Sequence, residues 1–175
     1  MPDQKIADRF KLLDNERSGL MDKKRECAEY VQPKLLPPNG WDETTELDTP
    51  LSSVPATGSK SLAAKIANAV LPTNGSAIGT PEVAIPADAQ PLERELIVNS
   101  VLAFDNGIMS MLQSSNFRSE LHDVTLDLVV IGDSLLELLE NGRYRKHRLD
   151  NYVVVRREDG KVHELILRVW VDPET

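Results

Sequence analysis

The stretch "LVVIGDSLLELLENG", residues 128–142, joins an apolar run to a leucine-rich run through a single glycine. The leucines after that glycine keep helical spacing, so "SLLELLE" by itself is compatible with either helix or strand. Gly132 is suited to end a helix, because glycine readily adopts the left-handed conformation found at helix ends. Asn141-Gly142 is the favoured two-residue type I′ turn, in which both residues have positive φ. These signals favour a helix that ends at Gly132 and a strand that leads into a hairpin, with Gly132, Asn141 and Gly142 as structural junctions.

The residues before this junction predict a mainly helical region. Apolar side chains recur at helical spacing through residues 3–32, after which Pro33 ends the helix. A shorter helix follows in "SLAAKIANAVLP", and a short strand fits near residues 82–85. Pro91 suits the first position of the next helix, which the Ser-Ser-Asn sequence at 114–116 separates from the last one. The expected apolar stripes are Ile6, Phe10, Leu13, Leu20, Cys27 and Val31; Leu62, Ile66 and Val70; Leu92, Leu96, Phe104, Ile108 and Met111; and Leu121, Val124, Leu128 and Ile131.

The residues after the junction have the composition of antiparallel strands. "YVVVRR" and "VHELILRVWV" are rich in β-branched residues, and the Glu-Asp-Gly sequence at 158–160 supplies a turn between them. We therefore predict one α+β domain over residues 1–175. Residues 1–115 are expected to be mainly helical, residues 116–132 to form a buried helix, and residues 134–170 to form an antiparallel hairpin or meander.

The net charge of −8 is unevenly spread along the 175 residues. Residues 141–170 hold eight basic and four acidic residues, so this stretch carries +4 and the remainder −12. An acidic body repels a phosphate backbone, which argues against tight wrapping of DNA. Basic side chains that alternate along strands are usually a solvated face. No run of about 18 apolar residues occurs, so we expect no membrane span.

Gly132-Asp133-Ser134-Leu135 matches the nucleophile block of the GDSL hydrolases. Such an enzyme needs its serine on a strand-to-helix turn, together with a Gly-x-Asn-Asp block and an Asp-x-x-His that supplies the base. Here the motif stands between a helix and a strand, and neither other block occurs in the sequence. Ser134 is therefore expected to be a junction residue, and no catalytic residue is assigned.

No cofactor or metal site is expected either. "TGSKS", residues 57–61, lacks the upstream glycine and the Gly-Lys step of a phosphate-binding loop, because Ser59 separates Gly58 from Lys60. Cys27 is the single cysteine, and the three histidines do not stand at the spacing of metal ligands. A lone cysteine also excludes an internal disulfide and fits a reducing compartment.

The order of these stretches resembles the head-to-tail connector (portal) proteins of short-tailed, podovirus-type bacteriophages. "RECAEYVQPKLLPP" is similar to the end of that family's opening helix, and "TPLSSVPATGSKSLAAKIANAVLPTN" to its next loop and helix. "SSNFRSELHDVTLDLVVIGDSLLEL" is similar to its helix before a leucine-rich strand. "GRYRKHRLDNYVVVRREDGKVHELILR" is similar to its following strands and Asp-Gly turn. The likeness keeps the same order over most of the chain.

The resemblance implies a non-enzymatic structural subunit that forms a closed ring of about twelve copies at one capsid vertex. Genomic double-stranded DNA would be packaged and ejected through this ring. The implied partners are capsid, scaffolding, tail and terminase proteins, with transient contact to double-stranded DNA. The implied location is the virion, after assembly in the host cytoplasm. The stem and clip regions of the family are missing here, so we expect a shortened subunit or an incomplete reading frame.

Subunit contacts are expected along the first helix, whose charged faces carry both signs. Weak ion pairs across a boundary add up when a ring repeats them. Arg17, Lys24 and Arg25 are the candidate interface residues. The alternative function is a small non-enzymatic α+β adaptor that uses its basic sheet to bind an acidic or nucleic-acid partner.

Overall fold

The computed structural model of the protein describes residues 2–42, 44–72, 85–86 and 90–169. Within these residues, five α-helices precede two antiparallel hairpins, and the expected α+β fold is confirmed. The helices are α1 (Pro2–Glu16), α2 (Ser18–Val31), α3 (Val54–Val70), α4 (Pro91–Ser114) and α5 (Phe117–Val130). The strands are β1 (Leu135–Leu138), β2 (Tyr144–His147), β3 (Tyr152–Arg156) and β4 (Val162–Leu167). The strand expected near residues 82–85 lies outside the described residues, apart from Ile85.

The N-terminal region forms two helices where the sequence predicted one over residues 3–32. α1 ends at Glu16 and α2 begins at Ser18, with Arg17 between them at φ −92° and ψ 3°. A serine and a glycine adjoin the break, and such pairs are a common cause of helix kinks. The kink changes the buried face. α1 buries Phe10 and Leu13 as expected, whereas Met21 and Ala28 are the buried residues of α2 and Leu20 and Cys27 are exposed.

The inner faces of α3 and α4 also differ from the expected stripes. α3 turns Ala63 and Ala67 inward and leaves its larger apolar residues exposed, because the two alanines allow α5 to approach closely. α4 begins at Pro91 as predicted, but Asp105 and Met109 are its buried residues. The apolar residues that these two helices expose are Leu62, Ile66, Val70, Leu92, Leu96, Phe104 and Met111.

The core consists of three clusters of buried side chains. The first joins α2 to the end of α5 and to β3, the second joins α3, α4 and α5, and the third joins α1 to β3. Their buried members are Met21, Ala28, Leu36, Ile131, Leu149 and Tyr152; Ala67, Leu71, Met109 and Leu121; and Phe10, Leu13 and Val153. α5 contributes to the first two clusters, although Leu128, a member of the expected apolar stripe, is 48% exposed.

The hairpins form two separate two-stranded sheets, β1 with β2 and β3 with β4. Leu135 lies opposite His147 in the first sheet, and Tyr152 lies opposite Leu167 in the second. The 3-10 turn Leu149–Asn151 connects the two sheets. Strand, turn and strand therefore occur in the predicted order within 134–170.

The prediction of a type I′ turn at Asn141-Gly142 is wrong. That turn needs positive φ at both residues, but among the described residues only glycines have positive φ. Gly142 has φ of 76°, and its amide donates to the Leu139 carbonyl at 2.9 Å. The Leu139 amide in turn donates to the Arg143 carbonyl at 2.8 Å. This is a three-residue loop that ends in a left-handed glycine.

The loop of the second hairpin has the same construction. Gly160 has φ of 80°, its amide donates to the Arg157 carbonyl at 2.9 Å, and the Arg157 amide donates to the Lys161 carbonyl at 2.9 Å. In both loops the residue before the glycine accepts a backbone hydrogen bond on its side-chain oxygen. Asn141 accepts from the Arg143 amide at 3.0 Å and Asp159 from the Lys161 amide at 2.9 Å. These bonds stabilise the turn without a left-handed asparagine.

Candidate functional site

Gly132 ends α5 and turns the chain towards β1. It has φ of 74°, and its amide donates to the Asp127 carbonyl at 3.1 Å. A side chain at this φ would be strained, which explains the glycine. The next residue, Asp133, forms an ion pair with Lys24 of α2. The junction predicted from the sequence is therefore also the place where α2 is tied to the start of the first hairpin.

Ser134 faces a cavity of about 290 Å³ between α2 and the two hairpins. Its hydroxyl is buried and has no hydrogen-bond partner among the described residues. Arg17 and Lys24 contribute cationic side chains to the lining, but none of the described lining residues is a histidine. Imidazole is the usual base that activates a serine nucleophile. Ser134 thus lies at the helix-to-strand junction, and its lack of a catalytic role stays a prediction.

Tyr152 lines the same cavity from the first residue of β3. Burial, with a smaller contribution from the nearby Asp133 carboxylate, raises the pKa of its hydroxyl to about 12. The hydroxyl is therefore protonated at neutral pH and available as a hydrogen-bond donor.

The first hairpin is held along α5 by hydrogen bonds from the first turn of that helix. The Asn116 side chain accepts from the Tyr144 amide and donates to the Tyr144 carbonyl, both at 2.7 Å. The Glu120 carboxylate accepts from the Lys146 amide at 3.1 Å. β2 therefore runs beside α5, with its start next to the N-terminus of the helix. The Phe117 and Tyr144 rings, 4.7 Å apart between centroids, add an aromatic contact there.

A buried ion pair connects α5 to β2 further along. The Lys146 ammonium lies 3.0 Å from the Asp127 carboxylate, and Asp127 is 3% exposed. Burial raises the pKa of Asp127, although the hydrogen bond and the charge of Lys146 act in the opposite direction. A second pair, 2.8 Å between His147 Nε2 and Glu137, lies within the hairpin itself.

The described residues contain neither a cluster of metal ligands nor a helix suited to crossing a membrane. Among them, no group of three or more histidine, cysteine, aspartate or glutamate side chains is placed to hold a metal ion. No described helix has the length and apolar character needed to cross a membrane. The expectations of no metal and no cofactor stay predictions.

Comparison with known protein families gives a match over nearly the whole chain. The family described as bacteriophage head to tail connecting protein matches residues 3–172. The chain belongs to this family. The resemblance inferred from the sequence is thereby confirmed.

Two relatives of this connector-family chain are portal proteins. The portal protein of Enterobacteria phage T3 is 27% identical over 172 residues, which cover 89% of this chain and 30% of the relative. The portal protein of Escherichia phage T7 is 28% identical over 168 residues, which cover 91% of this chain and 31% of the relative. The chain therefore spans less than a third of the length of these two relatives.

The candidate interface residues of this connector-family chain all contact their own chain. Arg17 donates to Asp14 at 2.9 Å and to the Leu149 carbonyl at 3.0 Å. Lys24 pairs with Asp133 as described above. Arg25 donates to the Pro37 carbonyl at 3.3 Å and to Asp22 at 3.2 Å. Each side chain is less than one-fifth exposed.

Their role between subunits stays a prediction, but their role within the fold was missed from the sequence. The Arg17 and Lys24 side chains have partners 132 and 109 residues away, at Leu149 and Asp133. No local pattern indicates contacts at such separations. Helical periodicity alone does not reveal that the hairpins pack beside the charged side chains of α2.

Proposed function

We propose that this chain is the wing-like part of a phage portal subunit. Such a subunit would assemble into a closed ring of about twelve copies at one capsid vertex, since closed cyclic symmetry is the usual solution for identical subunits. Double-stranded DNA would enter and leave the capsid through the ring. The single observation that carries this proposal is the match of the connector family over residues 3–172. The names of the phage T3 and T7 relatives support it.

The surface of the described residues supports a place inside a larger assembly. Leu92, Leu96, Phe104 and Met111 of α4 are between 60 and 69% exposed. Several large apolar side chains exposed on one helix commonly mark a contact with another protein or another part of the same protein. A helix with such an outer face is better suited to an assembly than to a solitary adaptor.

The proposed role is structural and not enzymatic. Within it, capsid, scaffolding, tail and terminase proteins are the proposed partners, and the virion is the proposed location after assembly in the host cytoplasm. The net charge of −8 suits a passage for DNA, because an acidic surface does not retain the phosphate backbone. Contact with double-stranded DNA would therefore be transient.

A chimaeric portal protein tests this proposal. In it, this chain replaces the matching segment of the phage T7 portal protein, and the purified product is viewed by electron microscopy. We expect rings, because identical chimaeric copies carry identical wing surfaces. The control is the same chimaera with Ala28→Asp, which places a charge at a fully buried position and should abolish rings through misfolding. A chimaera that is folded by circular dichroism but remains monomeric would contradict the proposal.

Light scattering separates this function from the adaptor alternative. The purified chain is mixed with a short DNA duplex at low and at high salt. A stable, salt-sensitive complex between one chain and the duplex would favour the adaptor, because phosphate contacts weaken as salt rises. We expect no such complex.

A further inference from the structure

The tip of the first hairpin carries two exposed arginines, Arg143 and Arg145, which we call the basic tip. Neither forms an ion pair with a described residue. Glu137 lies opposite Arg145 in the strand register, but its carboxylate is bonded to His147 at 2.8 Å. The positive charge of the basic tip is therefore available to an external partner.

A groove of about 290 Å³ on the other side of α2 has the opposite charge. Four acidic residues line it, and the half-buried Leu47 contributes apolar surface above the core residue Leu36. Arg25 is the one cation in its described lining, and it already donates to Asp22 and to the Pro37 carbonyl. We call this surface the acidic groove; its carboxylates belong to Asp22, Glu26, Glu29 and Asp48.

The basic tip and the acidic groove lie at opposite ends of α5. The tip is next to the N-terminus of this helix, where Asn116 holds Tyr144. The groove is next to its C-terminus, because Leu36 packs in the same core cluster as Ile131. The 14 residues of α5 span about 20 Å. One chain therefore does not bring its own tip into its own groove.

We propose that the basic tip of one copy of this chain docks into the acidic groove of the next copy. Two different, complementary surfaces at opposite ends of one molecule generate a head-to-tail contact, which closes into a ring or continues as a filament. Arginine forks pair well with carboxylates, and their aliphatic stems pack on apolar surface such as Leu47. Closure into a ring rests on the portal function proposed above, whereas the pairwise contact does not.

Charge complementarity sets orientation and association rate more than affinity. The contact between isolated chains is therefore weak and sensitive to salt, and it gains strength only where a larger assembly repeats it. This explains why a small charged surface is sufficient for a neighbour contact in a ring.

Sedimentation velocity on designed variants tests the contact. The tip variant carries Arg143→Glu and Arg145→Glu, and the groove variant carries Glu26→Arg and Glu29→Arg. At low ionic strength and up to about 1 mM, a range in which weak contacts are populated, the wild-type chain should associate. Each variant alone should associate at least about tenfold more weakly, because like charges then meet. The matched control, Lys60→Glu with Lys65→Glu on exposed positions of α3, should behave as the wild type.

A mixture of the two variants gives the decisive result. The tip variant retains its acidic groove and the groove variant retains its basic tip, so mixing them should restore the association that each variant alone lacks, because opposite charges again meet at every contact. A chain that carries all four substitutions should recover association, because its charges are exchanged. A two-fold symmetric contact would stop at a dimer in the wild-type chain, whereas a head-to-tail contact adds further copies as the concentration rises.

Several results would overturn the proposal: a wild-type chain that stays monomeric throughout, a tip variant that associates like the wild type, or a mixture that does not pair. Thermal melts establish that each variant is folded, and Asp48→Lys, which lies outside the helices, replaces the groove variant if α2 is destabilised. Rings of the T7 chimaera together with unaffected variants would contradict the tip–groove contact alone. A tip–groove dimer together with a monomeric chimaera would contradict the portal function alone.

Discussion

Single glycines determine where the backbone of this chain changes direction. Gly132, Gly142 and Gly160 have positive φ between 74° and 80° and mark the end of α5 and the two hairpin loops. Their positions were visible in the sequence, since glycine is the residue that adopts this conformation without strain. The ionic partners of α2 were not visible, because Lys24 and Asp133 are distant in the sequence.

Replacing the loop glycines should destabilise the fold. Gly142→Val and Gly160→Val each place a β-branched residue at positive φ, which should lower the free energy of unfolding by about 1–3 kcal/mol. The control is Gly58→Ala in α3, where an added Cβ meets no atom within 4 Å and helix propensity rises by up to about 1 kcal/mol. Urea denaturation measures all three. An unchanged midpoint for Gly142→Val would contradict the loop geometry.

Exchange of the Lys24–Asp133 pair should show that its role lies within the chain. Lys24→Glu places two carboxylates together and should lower the free energy of unfolding by about 1 kcal/mol, since Asp133 is half exposed. Adding Asp133→Lys should restore most of the loss, as measured by urea denaturation. If the double variant stays as unstable as the single one, the pair does not stabilise the junction.

Asp127 should make the protein respond to acid in an unusual direction. Burial raises its pKa above the ordinary 3.8, so the folded state takes up a proton at higher pH than the unfolded state does. The contribution of this group to stability therefore increases as pH falls from neutral through the raised pKa towards 3.8, and it decreases as pH rises. Relative to Asp127→Asn, the wild type should gain stability over this acidic range. Urea midpoints of both proteins across that range measure the difference, and parallel curves would refute the prediction.

At the level of whole elements, local signals predicted the order of helices and strands but not the faces they bury. Pro91 and Gly132 define ends by their backbone chemistry alone, and these ends are correct. Which face is buried depends on the partner. Ala63 and Ala67 of α3 are inward because α5 packs closely on small residues, and no periodicity in α3 contains that information.

A pair of substitutions in α3 tests the buried face directly. Ala63 is completely buried, so Ala63→Leu should overpack the contact with α5 and lower the free energy of unfolding by about 1–3 kcal/mol. Leu62 is 48% exposed, so Leu62→Ala should change stability by less than about 1 kcal/mol. Thermal or urea melts compare the two. The reverse order of effects would mean that Leu62 faces the core.

At the scale of the whole molecule, the described part of the chain buries a core but leaves large apolar side chains of α4 exposed. The three core clusters contain buried residues from all five helices and from β3, whereas the outer face of α4 remains apolar and exposed. The family assignment followed from the order of sequence motifs, which a single chain does reveal. The partners that cover each exposed face could not be predicted from the sequence, because they belong to other chains or to segments outside the described residues.

Polar substitutions on α4 should separate assembly from folding. Leu92 and Leu96 are 69% and 60% exposed, so Leu92→Gln with Leu96→Gln should change the free energy of unfolding of the isolated chain by less than about 0.5 kcal/mol per site. In the T7 chimaera the same pair should reduce the yield of rings, because the apolar face then lacks its contact. Thermal melts measure the stability of the isolated chain, and electron microscopy measures the yield of rings from the chimaera. Unreduced ring yield would show that α4 faces solvent in the assembly.

The twin hairpin loops also bear on how the protein ages. Asn-Gly is a chemically labile pair, since the glycine nitrogen attacks the asparagine side-chain carbonyl carbon and expels ammonia. Water then opens the cyclic imide that forms, giving aspartate or isoaspartate. In the first loop, the Gly142 amide donates to the Leu139 carbonyl, and the Asn141 side-chain oxygen accepts from the Arg143 amide. Both groups that would react are therefore held in hydrogen bonds to other residues. Where Asn141 does become aspartate, the loop acquires the Glu-Asp-Gly sequence that the second hairpin already uses, with the same hydrogen bond from Asp159. The fold thus contains its own example of the deamidated loop.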